Sequence, residues 1–164
     1  MINNAALLGL TAAEILAHDT DSPFYLAGLV QDLTADGAQG LPANVKQDLQ
    51  PTRNQLAYSH HPYIDALPFP TFRERVIALL QVNPPVIDPK ELCHDLRNDG
   101  VTCWGSSLGA GVGNSGAPWD VRSWEARPWF LKKWWILTGG AEAEMYQQTR
   151  WWCEMRGDRS DSPW

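Results

Sequence analysis

The sequence predicts a mainly α-helical, compact single domain with long ordered loops and one small pair of strands. Signals that start helices recur along the chain, apolar residues follow them at helical spacing, and proline or glycine clusters separate the resulting segments. A chain of 164 residues has the length of one ordinary domain. We therefore expect one globular domain over residues 1–157 and a C-terminal tail over residues 158–164.

The N-terminal region begins with two short predicted helices. Residues 3–8 form the first, and the range Thr11–Glu14 has the spacing of a capping box that opens the second, which continues to about Ala17. Pro23 ends this helical region because it lacks a backbone donor. Residues 34–57 are rich in glycine, proline, asparagine and glutamine, so we expect them to run over the surface.

The central helices carry clear start signals. The range Thr71–Glu74 has capping-box spacing and predicts a helix that continues to about Gln81. Asp88 followed by Pro89 predicts the next helix, with an acceptor at its N-cap and proline at its first position. Gly100 is expected to close that helix in the left-handed conformation that glycine tolerates.

The C-terminal part is predicted to hold one short strand and two further helices. Residues 101–104 are apolar and β-prone, which indicates a strand or a buried extended segment. Helices are expected near 128–138 and 141–156, ended by the glycines at 139–140 and at 157.

Composition and charge exclude several classes of protein. The net charge is −6 with a pI near 5.1, and no segment forms a basic stripe, so direct binding to nucleic acid is not expected. No apolar run approaches the roughly 20 residues of a membrane span. The N-terminus lacks the basic start of a secretory signal, and the three cysteines have no metal-type spacing. These features indicate reduced thiols in the cytoplasm, with the nucleus as the alternative.

An ordered series of motifs runs through the chain, from about Ile2 to Gly157. It comprises SPFY at 22–25, PTRNQL at 51–56, HHPYIDALPFP at 60–70, ELCHDL at 91–96, CWG at 103–105, PWD at 118–120, SWE at 123–125, FLKKW at 130–134 and RWW at 150–152. Together these motifs resemble the fungal domain of unknown function that usually lies C-terminal to the bZIP region of bZIP-type transcription factors. The resemblance implies a part in regulating transcription.

The sequence differs from that family pattern in two places. Nothing before Ser22 has the heptads or the Lys/Arg block of a basic region and leucine zipper. A glycine-rich stretch at 105–117 also separates the Trp-Gly motif from the Pro-Trp-Asp motif, which nearly adjoin in the family. We therefore expect a stand-alone copy of the domain with a task of its own.

The HHPYID segment supplies the first candidate catalytic residues, His60, His61 and Asp65. Two imidazoles titrate near neutrality, and Asp65 lies four residues after His61, close enough to orient it in a helical turn. The structural alternative is a buried histidine bonded to a backbone carbonyl, with Asp65 capping a turn. The spacing of the cysteines and histidines requires no metal site, and we assign neither a metal nor a cofactor.

Asp120 is the fourth candidate catalytic residue. It lies close to Arg122 and Glu125, so an N-cap and an ion pair are the structural explanation. If Asp120 faces an aromatic pocket, burial would raise its pKa and equip it as a general acid.

All nine tryptophans lie between Trp104 and Trp164, which is the most unusual feature of the composition. They can simply fill the core, or some can form the aromatic wall of a ligand cavity. A glycine-rich segment at 105–117 is expected to form a mobile flap, whereas its GxGxxG letters at 111–116 lack the strand–helix context of a nucleotide site. The side chains expected to face a ligand are Tyr63, Trp104, Trp119, Trp124 and Trp129.

Two functions follow as hypotheses. The first is a cofactor-independent enzyme of fungal secondary metabolism that isomerises or cyclises a small molecule by His/Asp acid–base chemistry in a tryptophan-lined pocket. The second is a regulatory module derived from a bZIP-type transcription factor, which binds a ligand or a protein without contacting DNA or membranes. A homodimer is compatible with either. A pocket reached by the histidines and Asp120 would favour the enzyme.

Overall fold

The computed structural model describes residues 1–17, 19–26, 45–104 and 116–158 of the chain. Within these ranges the α-helices are α1 (Ile2–Leu7), α2 (Ala12–Leu16), α3 (Arg53–Ala57), α4 (Pro70–Leu80), α5 (Pro89–Asp95), α6 (Pro128–Lys133), α7 (Trp135–Thr138) and α8 (Glu144–Arg156). Short 3₁₀ turns span Gln47–Leu49 and Val121–Ser123, and a π turn spans Leu96–Gly100. No helix in these ranges is long and apolar enough to cross a membrane.

Two short strands form a small antiparallel sheet. Strand β1 (Val101–Cys103) pairs with β2 (Trp124–Ala126), and Thr102 lies opposite Glu125. Helix α8 packs against β2, where the backbone N–H of Ala126 donates to Oγ1 of Thr149 at 2.9 Å. The mainly α fold with one small strand pair that the sequence predicts is therefore confirmed.

The buried apolar side chains form one cluster, to which α4 contributes several residues. Phe72, Val76 and Ile77 on α4 are almost completely buried, and Phe72 lies 6.1 Å from the ring of Phe130 on α6. The HHPYIDALPFP segment leads into α4, and its residues 62–69 are all buried. This segment therefore belongs to the core of the fold.

Two of the predicted helix starts are confirmed and one is wrong. The backbone N–H of Thr11 donates to Glu14, whose own N–H donates to the Thr11 hydroxyl, as in a capping box. The Asp88 side chain accepts the N–H groups that open α5. Helix α4 instead begins at Pro70, and the Thr71 N–H donates to Oε1 of Glu144 on α8 at 2.6 Å. A tertiary contact has replaced the local cap.

The end of α5 also differs from the prediction. Asp99, with φ of 59°, adopts the left-handed conformation that was expected at Gly100. Gly100 is needed for a different reason, because a Cβ there would lie 2.5 Å from both the Asp95 carbonyl oxygen and the Phe130 ring. The close approach of α6 therefore requires a glycine at this position.

The helix predicted over 128–138 and the surface segment predicted over 34–57 need smaller corrections. The first is broken at Trp134, with φ of −103° and ψ of 27°, and Trp134 donates its indole N–H to Asp95 at 2.9 Å. Of the predicted surface segment at 34–57, the described part holds the turn Gln47–Leu49 and helix α3. The predicted flap at 105–117 lies outside the described residues except for its last two positions, and so does the predicted tail except for Asp158.

Candidate functional site

The histidine segment places a buried polar network beside α4. Nε2 of His60 lies 2.8 Å from Oδ1 of Asp65, and both side chains have no exposed surface. Nδ1 of His60 lies 2.7 Å from the carbonyl oxygen of Tyr58. Gln55, on α3, donates its amide N–H to the same Asp65 oxygen at 2.6 Å. The network ties α3 to the turn that precedes α4.

Both ring nitrogens of His60 face oxygen atoms that accept hydrogen bonds. A neutral imidazole carries one N–H only, so it could satisfy Tyr58 or Asp65 but not both. His60 therefore lies between the Tyr58 carbonyl oxygen and the Asp65 carboxyl group and links the two inside the core.

Arg73, on the first turn of α4, is a further buried polar residue close to Asp65. Its guanidinium donates to the carbonyl oxygens of Leu67 at 3.1 Å and Gln50 at 2.8 Å. Burial lowers the pKa of Arg73 to about 10, while the carboxylates around it, Asp65 foremost, oppose this shift. Arg73 is therefore charged at neutral pH and holds two loop segments against α4.

His61 and Tyr63 lie on the same turn but have other partners. Nε2 of His61 lies 2.5 Å from the Ala17 carbonyl oxygen, and its Nδ1 accepts the Tyr63 N–H at 3.3 Å. Tyr63 is buried, and this burial raises the pKa of its hydroxyl. The hydroxyl donates to the Pro89 carbonyl oxygen at 3.4 Å. The two adjacent histidines thus contact different parts of the fold.

An open groove lies between the turn Gln47–Leu49 and the turn Val121–Ser123. It has a volume of about 450 Å³, and its lining residues are Lys46, Gln47, Asp48, Trp119, Asp120, Val121 and Arg122. Oδ2 of Asp48 accepts the Val121 N–H at 2.9 Å and so joins the two turns. Of the four predicted catalytic residues, Asp120 lines this groove, whereas the histidines and Asp65 are not among its lining residues.

The charged side chains of the groove have distinct partners. The Lys46 ammonium lies over the Trp119 ring, 5.2 Å from its centre. Asp120 caps the second turn and accepts two hydrogen bonds from Nε of Arg122, at 2.9 and 3.1 Å. These hydrogen bonds from Arg122 lower the pKa of Asp120. The shift is opposite to the one a general acid would need, so the structure gives no support to that role.

The four tryptophans expected to face a ligand lie in different places. Trp119 lines the groove. Trp124 is buried and donates to the Pro118 carbonyl oxygen at 2.8 Å, so it belongs to the core. Trp104 donates to Glu125 at 2.8 Å, and Trp129 packs edge-on against Phe130 with their ring centres 5.8 Å apart. Trp104 and Trp129 remain 40% and 43% exposed, outside the groove.

A comparison with known protein families identifies the type of domain. The family model described as "Domain of unknown function (DUF3425)" matches residues 32–146, more than half of the chain. The chain belongs to the DUF3425 family. The matched range contains both the buried network and the groove. No curated protein and no solved structure gives a significant match.

Sequence reasoning predicted Trp119 and Asp120 but missed the other residues that line the groove of this DUF3425 domain, among them Lys46 and Asp48. Both lie in the segment predicted to run over the surface, and no local motif distinguishes them. Lys46 contacts Trp119 and Asp48 contacts Val121, and the two residues of each pair are 73 positions apart in the chain. Throughout the described part of the domain, no three His, Cys, Asp or Glu side chains converge as a metal site would require.

Proposed function

We propose that this DUF3425 domain is a regulatory module that binds a small molecule in the groove without converting it. The observation that carries the proposal is that the open groove combines an aromatic ring with charged side chains, at Lys46, Trp119 and Arg122. The acid–base pair of His60 and Asp65, by contrast, is sealed in the core. A ligand can contact the side chains of the groove, whereas it cannot reach His60 and Asp65.

The dimensions of the groove suit a small molecule. Its volume of about 450 Å³ lies within the roughly 300–1,000 Å³ that is typical of small-molecule sites. Trp119 supplies the apolar surface that such sites use, and the charged groups beside it can fix the orientation of a ligand. A large protein partner would need a broader apolar surface than this groove offers.

The walls of the groove are held by contacts to the core. Asp48 and Val121 join the two walls, and Arg73 donates to Gln50 at the end of the first wall. The amide of the buried Asn4 donates to the Pro118 carbonyl oxygen at 2.7 Å, next to Trp119. The site is therefore formed before a ligand arrives, which reduces the entropy lost on binding.

The regulatory part of the proposal rests on resemblance. The motifs of this chain resemble the fungal domain that accompanies bZIP regions, and a ligand-binding domain there could control a transcription factor. The net charge of −6 favours action through a partner protein rather than direct contact with DNA. We place such a module in the nucleus or the cytoplasm.

The enzyme hypothesis has less support from the geometry. Isomerisation or cyclisation would need a proton donor and acceptor at the bound substrate. The His60 and Asp65 side chains are completely buried, and Asp120 is neutralised by Arg122. A buried network of this kind stabilises a fold but contacts no substrate.

Equilibrium dialysis tests the proposed function. The purified chain is dialysed against a small-molecule extract of its source cells, and both compartments are analysed by chromatography and mass spectrometry. We expect one compound to be enriched with the protein and recovered with unchanged mass and retention time. Lys46→Met removes the cation that lies over Trp119 and should abolish the enrichment. Lys90→Met, at an exposed lysine on α5, is the matched control and should retain it.

Two results would contradict the proposal. Depletion of a compound together with the appearance of an isomer or product would show catalysis. Enrichment of no compound by the wild-type chain would show that the groove is not a small-molecule site under these conditions.

A further inference from the structure

Lys46 is a charged group of the groove whose ammonium has no ion-pair partner among the described residues. This ammonium lies 5.2 Å from the centre of the Trp119 ring. An ammonium carries three N–H donors, and an aromatic face satisfies them poorly. Lys46 is also exposed, so these donors are available to a ligand.

The two carboxylates of the groove already have hydrogen-bond partners within the protein. Asp120 is held by Nε and Nη2 of Arg122 in a forked ion pair. Asp48 accepts the Val121 N–H and lies in the electric field of Arg122 and of the buried Arg73. Among the described charged groups of the groove, the Lys46 ammonium is thus the one with neither an ion-pair nor a hydrogen-bond partner. Although the whole chain is acidic, charges farther away than about 8 Å are largely screened at physiological salt.

We propose that the groove binds a planar aromatic carboxylate, whose carboxylate group pairs with Lys46 and whose ring packs against Trp119. This inference rests on the proposed function, since it names the ligand class of the same site. The ligand ring displaces the Lys46 ammonium from above the indole. The flexible lysine side chain then turns its N–H donors toward the carboxylate of the ligand. The weak, exposed cation–π contact with Trp119 is thereby replaced by a charge-assisted hydrogen bond.

The same geometry disfavours the other simple ligand classes. An aromatic ammonium would bring a second cation to Lys46, while Asp120 is already paired with Arg122 and Asp48 accepts the Val121 N–H. An aliphatic carboxylate would keep the contact with Lys46 but lose the stacking surface of Trp119. The pairing of one aromatic ring with one cation therefore defines the specificity.

Two matched probes test the ligand class by NMR of the ¹⁵N-labelled full chain. The probes are 1-naphthoate and 1-naphthylmethylammonium, which share a ring system and differ in the sign of their charge. Trp119→Phe assigns the indole N–H signal of Trp119. We expect naphthoate to shift this signal in a saturable manner. The ammonium probe should bind at least about tenfold more weakly, because it cannot form the charge-assisted hydrogen bond to Lys46.

Variants then locate the contact. Lys46→Met keeps an apolar side chain against Trp119 but removes the charge, so naphthoate binding should weaken about tenfold. Lys90→Met should leave the affinity unchanged. Lys46 makes no side-chain hydrogen bond to the turn that it precedes, so the variant should remain folded, and its amide spectrum will show this.

Three results would overturn the inference: equal naphthoate affinity in wild type and Lys46→Met, tighter binding of the ammonium probe, or no shift of the Trp119 signal at millimolar naphthoate. Dialysis separates this failure from that of the proposed function. A retained compound without a carboxylate would leave the binding module intact and refute only the ligand class, whereas retention of no compound would refute the module itself.

Discussion

Asp65→Ala is expected to lower the free energy of unfolding by about 3–5 kcal/mol, the usual effect of removing one partner from a buried charged pair. The substitution leaves Nε2 of His60 and the amide N–H of Gln55 without an acceptor in the core. Urea unfolding followed by circular dichroism measures the effect.

A double-mutant cycle with His60→Ala shows whether the two residues act together. We expect a coupling free energy of about 2 kcal/mol between them, because the second substitution removes the group that the first left unpaired. Asp19→Ala changes an exposed aspartate and should alter stability by less than about 0.5 kcal/mol. Additive effects of the two substitutions would contradict the coupling that the 2.8 Å contact between His60 and Asp65 predicts.

Arg73→Met is expected to cost about 3–5 kcal/mol, since each hydrogen bond from a charged donor contributes about 1.5–3 kcal/mol. Methionine approximates the apolar stem of arginine but leaves the carbonyl oxygens of Leu67 and Gln50 without donors. Gln50 follows the turn that carries Lys46 and Asp48. Hydrogen exchange of the Leu49 amide, which bonds to the Lys46 carbonyl, should therefore accelerate as well.

Two further variants separate charge from geometry at this position. Arg73→Lys keeps the charge, but a single ammonium cannot reach both carbonyl oxygens in the forked manner of a guanidinium, so we expect it to restore only part of the stability. Arg53→Met, at an exposed arginine on α3, controls for the loss of charge and should have little effect. Full stability in Arg73→Met would show that the buried guanidinium does not hold these loops.

Much of the fold could be predicted because helix starts depend on neighbouring residues. Thr11 and Asp88 cap their helices through partners two or three residues away, and the sequence displays both pairs directly. The start of α4 could not be predicted in this way. The Thr71 N–H bonds to Glu144, which lies 73 residues farther along the chain. Only the packing of α8 against the rest of the fold creates that contact.

The groove was less predictable than the helices for the same physical reason. The sequence indicated that Trp119 and Asp120 could face a ligand, but the opposite wall comes from Lys46 and Asp48, and Asp48 meets Val121 across 73 residues. His60 and Asp65 illustrate the reverse case. The spacing suggested that Asp65 orients His61, but Asp65 bonds to His60 instead, and the complete burial of this pair follows from the packing of α3 and α4 around it. Spacing alone did not distinguish a core pair from a catalytic one.

A gene-replacement experiment tests most directly whether the chain regulates through a bound ligand. In the source organism, a deletion, Lys46→Met and Lys90→Met are compared with wild type, and transcripts and metabolites are measured in the same cultures. The account predicts that the deletion and Lys46→Met change the transcripts of a common set of genes, while Lys90→Met matches wild type. Steady transcripts, with one intermediate accumulating and one product missing in the deletion, would contradict it and indicate an enzyme.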